Sequence, residues 1–317
     1  MSQTLSYIIQ INSNFEKVNE SFNKFNKNVT TGVDKIQKSL NSIKLQSLIS
    51  NIDSVSSGLN SVNEPGLKLS SSLADLSAIT GQTGKGLKEI EGYARDNAKT
   101  FGGDAAQGVE AYKLILSQLD PLIAKQPKAL KEMGNSASVL SKLMGGDTVS
   151  ATEVLTTAMN QYQVSTQDPI AASKEMSSMM NIMAAAAKEG SAELPQIKQA
   201  LEQSGLEAKT ANVSFAETNA AIQVLDKNGK KGAEGGVALR NVLATLSEGR
   251  FLPKDVKKEL AGAGVDINKL TDNSKTLKEK LEPLKKIMND QALVTKLFGK
   301  ENSNAAIALI SGTEEMG

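Results

Sequence analysis

Apolar residues at the start of the chain alternate: Leu5, Tyr7, Ile9 and Ile11 take every second position. A period of two predicts a short strand or extended segment over residues 1–12. Ile8 breaks the alternation, so a helix start is the other reading. A lone strand also needs a partner, in this chain or another. From Phe15 the spacing changes to threes and fours. Phe15, Val18, Phe22, Phe25 and Val29 form a seam, and Val33, Ile36, Leu40 and Ile43 continue it after one four-residue step. Leu48, Ile52, Val55, Leu59 and Val62 resume it in a new frame. The pattern predicts a coiled-coil stem over residues 13–62, with a stutter where the extra step falls. Thr30, Thr31 and Gly32 are candidate interruptions. We expect the seam to meet further copies of the chain; folding back on its own chain is the alternative.

Asn63, Glu64, Pro65 and Gly66 mark a break, after which helical periodicity recurs in runs of ten to twenty residues separated by glycine and short polar loops. Helices are expected near 67–79, 86–98, 104–120, 122–144, 150–163, 168–188, 191–204, 214–226, 235–247, 253–262, 275–298 and 302–311. Asp104, Ser150, Asp168 and Ser214 stand where N-caps belong, and Glu217 completes a capping box with Ser214. The fold class is therefore all-α: a short strand and long coiled-coil helix, then a multi-helix domain over 67–311. Residues 312–317 read as a tail, expected to continue into a longer protein.

Within this domain, Ala220–Leu246 has the clearest organisation. Ile222, Val224 and Leu225 end one amphipathic helix, and Val237, Leu239, Val242, Leu243 and Leu246 bury a face of the next. Gly229, Gly232, Gly235 and Gly236 make the corner between them, where glycine opens torsions costly to other residues.

Composition narrows the chemistry. The chain has no Cys and no His, which removes thiolate and imidazole catalysis, disulfides and ordinary zinc sites. Carboxylate-only chemistry stays open. Aromatic residues make up 3% and Trp is absent, so the core must rest on Leu, Ile, Val, Ala and ten Met. The formal net charge of +1 gives no general pull toward nucleic acid or anionic membrane. No run approaches the roughly 18–20 apolar residues of a membrane span, and no secretion leader is evident.

Each chemical motif has a plainer reading. Gly81–Gly86 resembles a phosphate loop but carries Gly86 where Ser or Thr should hold magnesium, and Ile79 where the first Gly belongs. It reads as a helix connection. Lys227, Lys230 and Lys231 around the glycine corner suggest an anion site, or simply solvated lysines. Gly262 and Gly264 lack the third glycine of a dinucleotide fingerprint. Met176, Met179, Met180 and Met183 share a helical face, expected to be core rather than an adaptable groove. Residues 254–300 hold eleven Lys against seven acidic residues, expected to be a solvated face. Glu20–Ser21 is the one lysozyme-like dipeptide, and it falls on the expected coiled-coil surface. We therefore expect no catalytic residue, no cofactor and no metal.

The glycine corner followed by a helix opening on Ala238, Leu239 and Arg240 resembles the end of the shared helical domain of phage tail tape measure proteins. Leu73–Gly81 (LADLSAITG) is similar to the entry of that domain, and Tyr93–Gly102 (YARDNAKTFG) to the following segment. Leu155, Ala158, Met159 and Tyr162 in Ser150–Gln163, then Ala208–Ala220, then Gly264, Val265 and Asp266, and finally Leu297, Phe298 and Gly299 continue the order. The likeness covers about 67–310, and the strand and coiled coil also resemble the start of such proteins. It implies a structural component of a phage or prophage-derived tail. Such a protein self-associates, works with tail tube proteins, baseplate or tip proteins and tail assembly chaperones, and takes no small-molecule substrate and no specific nucleic acid. It is assembled in the bacterial cytoplasm and ends inside the tail tube of the virion. One departure is length: tape measures are usually far longer. A compact body of about 250 residues has a radius of gyration near 18 Å, and the stem adds roughly 70 Å. The rival readings are a cellular coiled-coil adaptor and a secreted helical effector.

Overall fold

A computed structural model describes residues 66–314, and among these every regular element is a helix. The strand expected over 1–12, the stem over 13–62 with its seam from Phe15 to Ile43, and the last residues of the expected tail lie outside the described residues. The chain divides into two compact units, Met1–Glu91 and Gly92–Gly317. In the first, α1 spans residues 66–80 and α2 (Gly84–Phe101) begins after a short connection. Residues 81–83 are thus the link between helices, and Gly84, Lys85 and Gly86 form the first turn of α2.

The second unit holds α3 (Ala105–Gln118), α4 (Pro127–Leu140), α5 (Thr148–Gln161), α6 (Pro169–Glu189) and α7 (Leu194–Thr210). They are followed by α8 (Phe215–Lys227), α9 (Gly232–Ser247) and α10 (Lys254–Gly262). Short helices α11 (Ile267–Leu270) and α12 (Leu277–Leu281) lead to α13 (Gln291–Phe298) and α14 (Ser303–Ser311).

Local chemistry sets most of the helix starts. Asp104 accepts from Ala106 N at 2.8 Å, and Asp168 accepts from Ile170 N at 3.0 Å ahead of Pro169. Ser214 accepts from Glu217 N at 3.2 Å while the Glu217 carboxylate accepts from Ser214 N, closing the capping box. Ser150, expected as a cap, is instead in the first turn of α5. Asp147 caps that helix, accepting from Ser150 N at 3.0 Å and from Ser150 Oγ at 2.6 Å. A carboxylate with two oxygens outcompetes a hydroxyl that has a better use as donor.

Two long expected helices are broken. The run 122–144 divides into a 3₁₀ segment Pro121–Lys125, α4, and a 3₁₀ segment Ser141–Met144. Pro127 cannot donate an N–H and so opens a new helix, and Gly145 at φ +65 ends the last segment. The run 275–298 divides into α12, a 3₁₀ segment Glu282–Ile287 containing Pro283, and α13, which Asp290 caps.

Packing follows the apolar faces. α7 lies along both α5 and α9, α5 lies on α3, and α4 packs on α6. Met176, Met179, Met180 and Met183 are all buried, so the methionine stripe of α6 is core. Ala151, Leu155, Ala158 and Met159 of α5 and Ile197, Ala200, Leu201 and Ala208 of α7 are buried alongside it. A core this rich in alanine brings helix backbones close, which is how a chain almost without aromatics fills its interior. Among the few aromatics, Tyr162 meets Phe215 edge-on with centroids 5.0 Å apart.

Candidate functional site

The corner between α8 and α9 is built by hydrogen bonding that only a left-handed residue completes. Gly229 has φ +86; its N–H donates to Asp226 O at 2.9 Å, and Lys230 N donates to Leu225 O at 2.9 Å. These two bonds are a Schellman closure of α8. Gly232, at φ +50, opens α9. Gly235 and Gly236 are not in the corner itself: they sit buried in the first turns of α9. A side chain at Gly236 would place its Cβ 2.7 Å from Ala200 Cα and 2.8 Å from Gln203 Cβ on α7. At Gly235 it would lie 2.5 Å from Lys230 O. The four glycines thus have two uses, torsion at Gly229 and Gly232 and close backbone approach at Gly235 and Gly236. Lys230 is paired with Glu234 at 2.5 Å and Lys227 also has a partner, so these two lysines of the corner are not waiting for an anion.

A groove of about 760 Å³ runs between α6 and α8. Ile182, Ala185 and Ala186 face Ala216, Ala220 and Val224 across it. Gln223 fixes one end, accepting from Ala192 N at 2.7 Å and donating to Ala192 O at 3.0 Å. Asn219 lines the groove and is buried; its Nδ2 donates to Phe215 O at 2.8 Å, while its Oδ1 has no donor. Glu189 is the one carboxylate in the lining, so the acid–base pair that carboxylate catalysis requires is not assembled there.

On the neighbouring flank of α8, polar contacts join three distant parts of the sequence. Tyr162 OH donates to Thr218 Oγ1 at 2.5 Å, and burial pushes the phenol well above its ordinary range. Glu217 Oε1 accepts from Leu277 N at 2.6 Å while its other oxygen serves the α8 cap. Asn212, at φ +58, donates from Nδ2 to Asn273 O at 2.7 Å. Lys280 is 3% exposed and donates from Nζ to Ala211 O, near the C-terminus of α7, at 2.9 Å. Burial holds this ammonium below the ordinary lysine range, against the opposing pull of Asp272 and Glu217.

Several lysines of the basic run have partners within the domain. Lys296 pairs with Glu259 at 2.7 Å, Lys285 with Glu282 at 3.1 Å, Lys275 with Glu279 at 3.7 Å, and Lys286 donates to Gly264 O at 2.7 Å. These are surface pairs, as expected, with the buried Lys280 as the exception. No group of carboxylates among the described residues could hold a metal ion, and no helix there is long and apolar enough to cross a membrane.

Lys280, Asn212 and the second bond of Glu217 carry no local sequence signal, because their partners lie 60 to 69 residues away. Asp147 was legible, standing three residues before Ser150 as a cap should.

Comparison with known proteins gives one result. The family model for phage-related minor tail proteins matches residues 95–299. No curated protein and no solved structure matches the chain. The matched residues lie wholly inside the unit Gly92–Gly317 and run from α2 to the end of α13, including the glycine corner and the polar junction around Glu217. Leu73–Gly81, which resembles the entry of the domain, falls outside the matched span, and so do residues 300–310. The match covers more than half of the chain, and on it the protein belongs to the phage-related minor tail protein family.

Proposed function

We propose that this minor tail protein is a tape measure. It scaffolds assembly of the tail tube and helps to set tail length. The observation that carries the reading is the pairing of the family's helical domain over 95–299 with an upstream seam, Phe15 to Ile43, of coiled-coil period. On this reading the stem residues Phe15, Val18, Phe22, Phe25, Val29, Val33, Ile36, Leu40 and Ile43 join copies of the chain along the tail axis. Tube subunits polymerise around that bundle, and baseplate or tip proteins and assembly chaperones meet it at its ends. The work is interface geometry, with no reaction and no cofactor. The protein is then expected inside the tube of the virion, after assembly in the host cytoplasm.

The test is tail length. Deleting seven-residue multiples between Val33 and Val62 keeps the seam in register and removes about 10 Å of helix each time. Tails of the resulting virions should shorten by that amount, or by whole tube rings near it. Unchanged tails would make the stem an anchor rather than part of a ruler. Normal infectious tails formed without the gene would remove the assignment.

A further inference from the structure

The stretch between Gly264 and Asp290 differs in construction from the helices it covers. Its elements are α11, α12 and a 3₁₀ segment, of four, five and six residues. Helices that short have no independent stability in water and persist only while docked. The stretch begins at Gly264, whose φ of +75 favours glycine, and Gly299 also has positive φ, +80, after α13. Its buried apolar residues are Val265, Leu270, Leu277, Leu281, Leu284 and Ile287, and Lys280 is buried with them.

What joins it to the α7–α8 corner is polar and concentrated at one place. Within the seven residues from Ala211 to Glu217, three contacts reach across: Ala211 O accepts from Lys280 Nζ, Asn212 Nδ2 donates to Asn273 O, and Glu217 Oε1 accepts from Leu277 N. By contrast α3, α5, α7 and α9 hold one another through continuous apolar faces. We propose that residues 266–290 form a strap, latched to the α7–α8 corner by Ala211, Asn212 and Glu217, that opens as one unit while the helices beneath stay folded. Opening uncovers Leu277, Leu281 and Leu284, and gives the domain an apolar surface available only in the released state. The latch is cooperative because the strap's helices melt together once the corner contacts are lost.

Native-state hydrogen exchange of the full chain, read by mass spectrometry against denaturant, tests this. Amides of 267–287 should converge on a single opening event that exchanges at least about tenfold faster than the event shared by α5, α7 and α9. Asn212→Gly keeps the positive φ and removes only the bond to Asn273. It should speed strap exchange several-fold and leave α3–α6 unchanged. Glu217→Gln, which keeps the side-chain volume, should do the same and also loosen the first turn of α8. The proposal is overturned if strap amides exchange only through global unfolding. It is equally overturned if Asn212→Gly accelerates α3–α6 as much as the strap.

Discussion

Gly236 of α9 lies directly against Ala200 of α7, so close that a methyl group at position 236 would overlap the Ala200 backbone. The neighbour is main chain in mid-helix and cannot turn aside as a flexible side chain would. Gly236→Ala should therefore push α7 and α9 apart and cost about 2 kcal/mol or more, despite alanine's better helix propensity. Urea unfolding measures this. A stability equal to or above the parent would mean that the two helices are not this close.

Gly229 offers the matching control. A side chain there meets open space, so the cost of Gly229→Ala is torsional alone, about 1–2 kcal/mol for a non-glycine residue held at φ +86. Gly229→Asn should be milder, since asparagine tolerates this region. The ordering Asn above Ala at 229 is the checkable result.

Asn219 carries a buried oxygen with no donor. Replacing it with leucine removes that unsatisfied group at similar volume, and stability should stay level or rise by up to about 1 kcal/mol. On the same helix, Ile222→Ala should cost about 2–5 kcal/mol through lost burial and the cavity left behind. Thermal unfolding of the two variants distinguishes them; a large loss for Asn219→Leu would show that the Nδ2 bond to Phe215 O outweighs the cost of the unpaired oxygen.

The hydrogen bond from Tyr162 to Thr218 is short and buried. Tyr162→Phe should cost about 1–2 kcal/mol. Thr218→Val in the Tyr162→Phe background should add less than it does alone, because the two removals share one interaction. A double-mutant cycle reads the coupling. Additive losses would show that the two groups are energetically independent.

Asp147 gives a pH dependence of defined sign. Its carboxyl is held below the usual range, chiefly by the hydrogen bond from Ser150 Oγ and then by that from Ser150 N. In the unfolded chain it titrates at about 4. A group depressed on folding contributes stability that is complete above the unfolded value and is lost as pH falls through the folded one. Asp147→Asn should thus lower stability at pH 7 and flatten the acid limb below about pH 4. An unchanged acid limb would mean that other carboxylates set it.

If the seam joins copies of the chain as proposed, Phe22→Glu with Phe25→Glu should abolish that self-association while the helical domain stays folded, because charge at two successive seam positions cannot be buried. Sedimentation beside circular dichroism checks both parts. Persistent oligomers would place the contact between copies elsewhere.

Much of the helical domain was determined by short-range sequence. The Ser214–Glu217 box, the Asp104 and Asp168 caps, the Gly229 turn and the methionine face of α6 are all local, since each partner lies within about two helical turns. Position in the periodic pattern was enough to infer them. The breaks at Pro127, Pro283 and Asp290 were equally local and were missed because the apolar periodicity runs on through them.

Only the tertiary structure decided what the remaining residues do. Gly235 and Gly236 look like turn residues, yet both lie in α9: Gly235 admits the Lys230 carbonyl of the corner, and Gly236 lets two helix backbones touch, which depends on where α7 lies. Lys280 looks like one more solvated lysine in a basic run, yet it is buried on a carbonyl 69 residues earlier. Glu217 looks like half of a capping box, and its second oxygen holds Leu277. Periodicity reports which face of a helix is buried. It carries no information about which other helix supplies the donor, the acceptor or the contact, because that choice is made by packing over long separations in sequence.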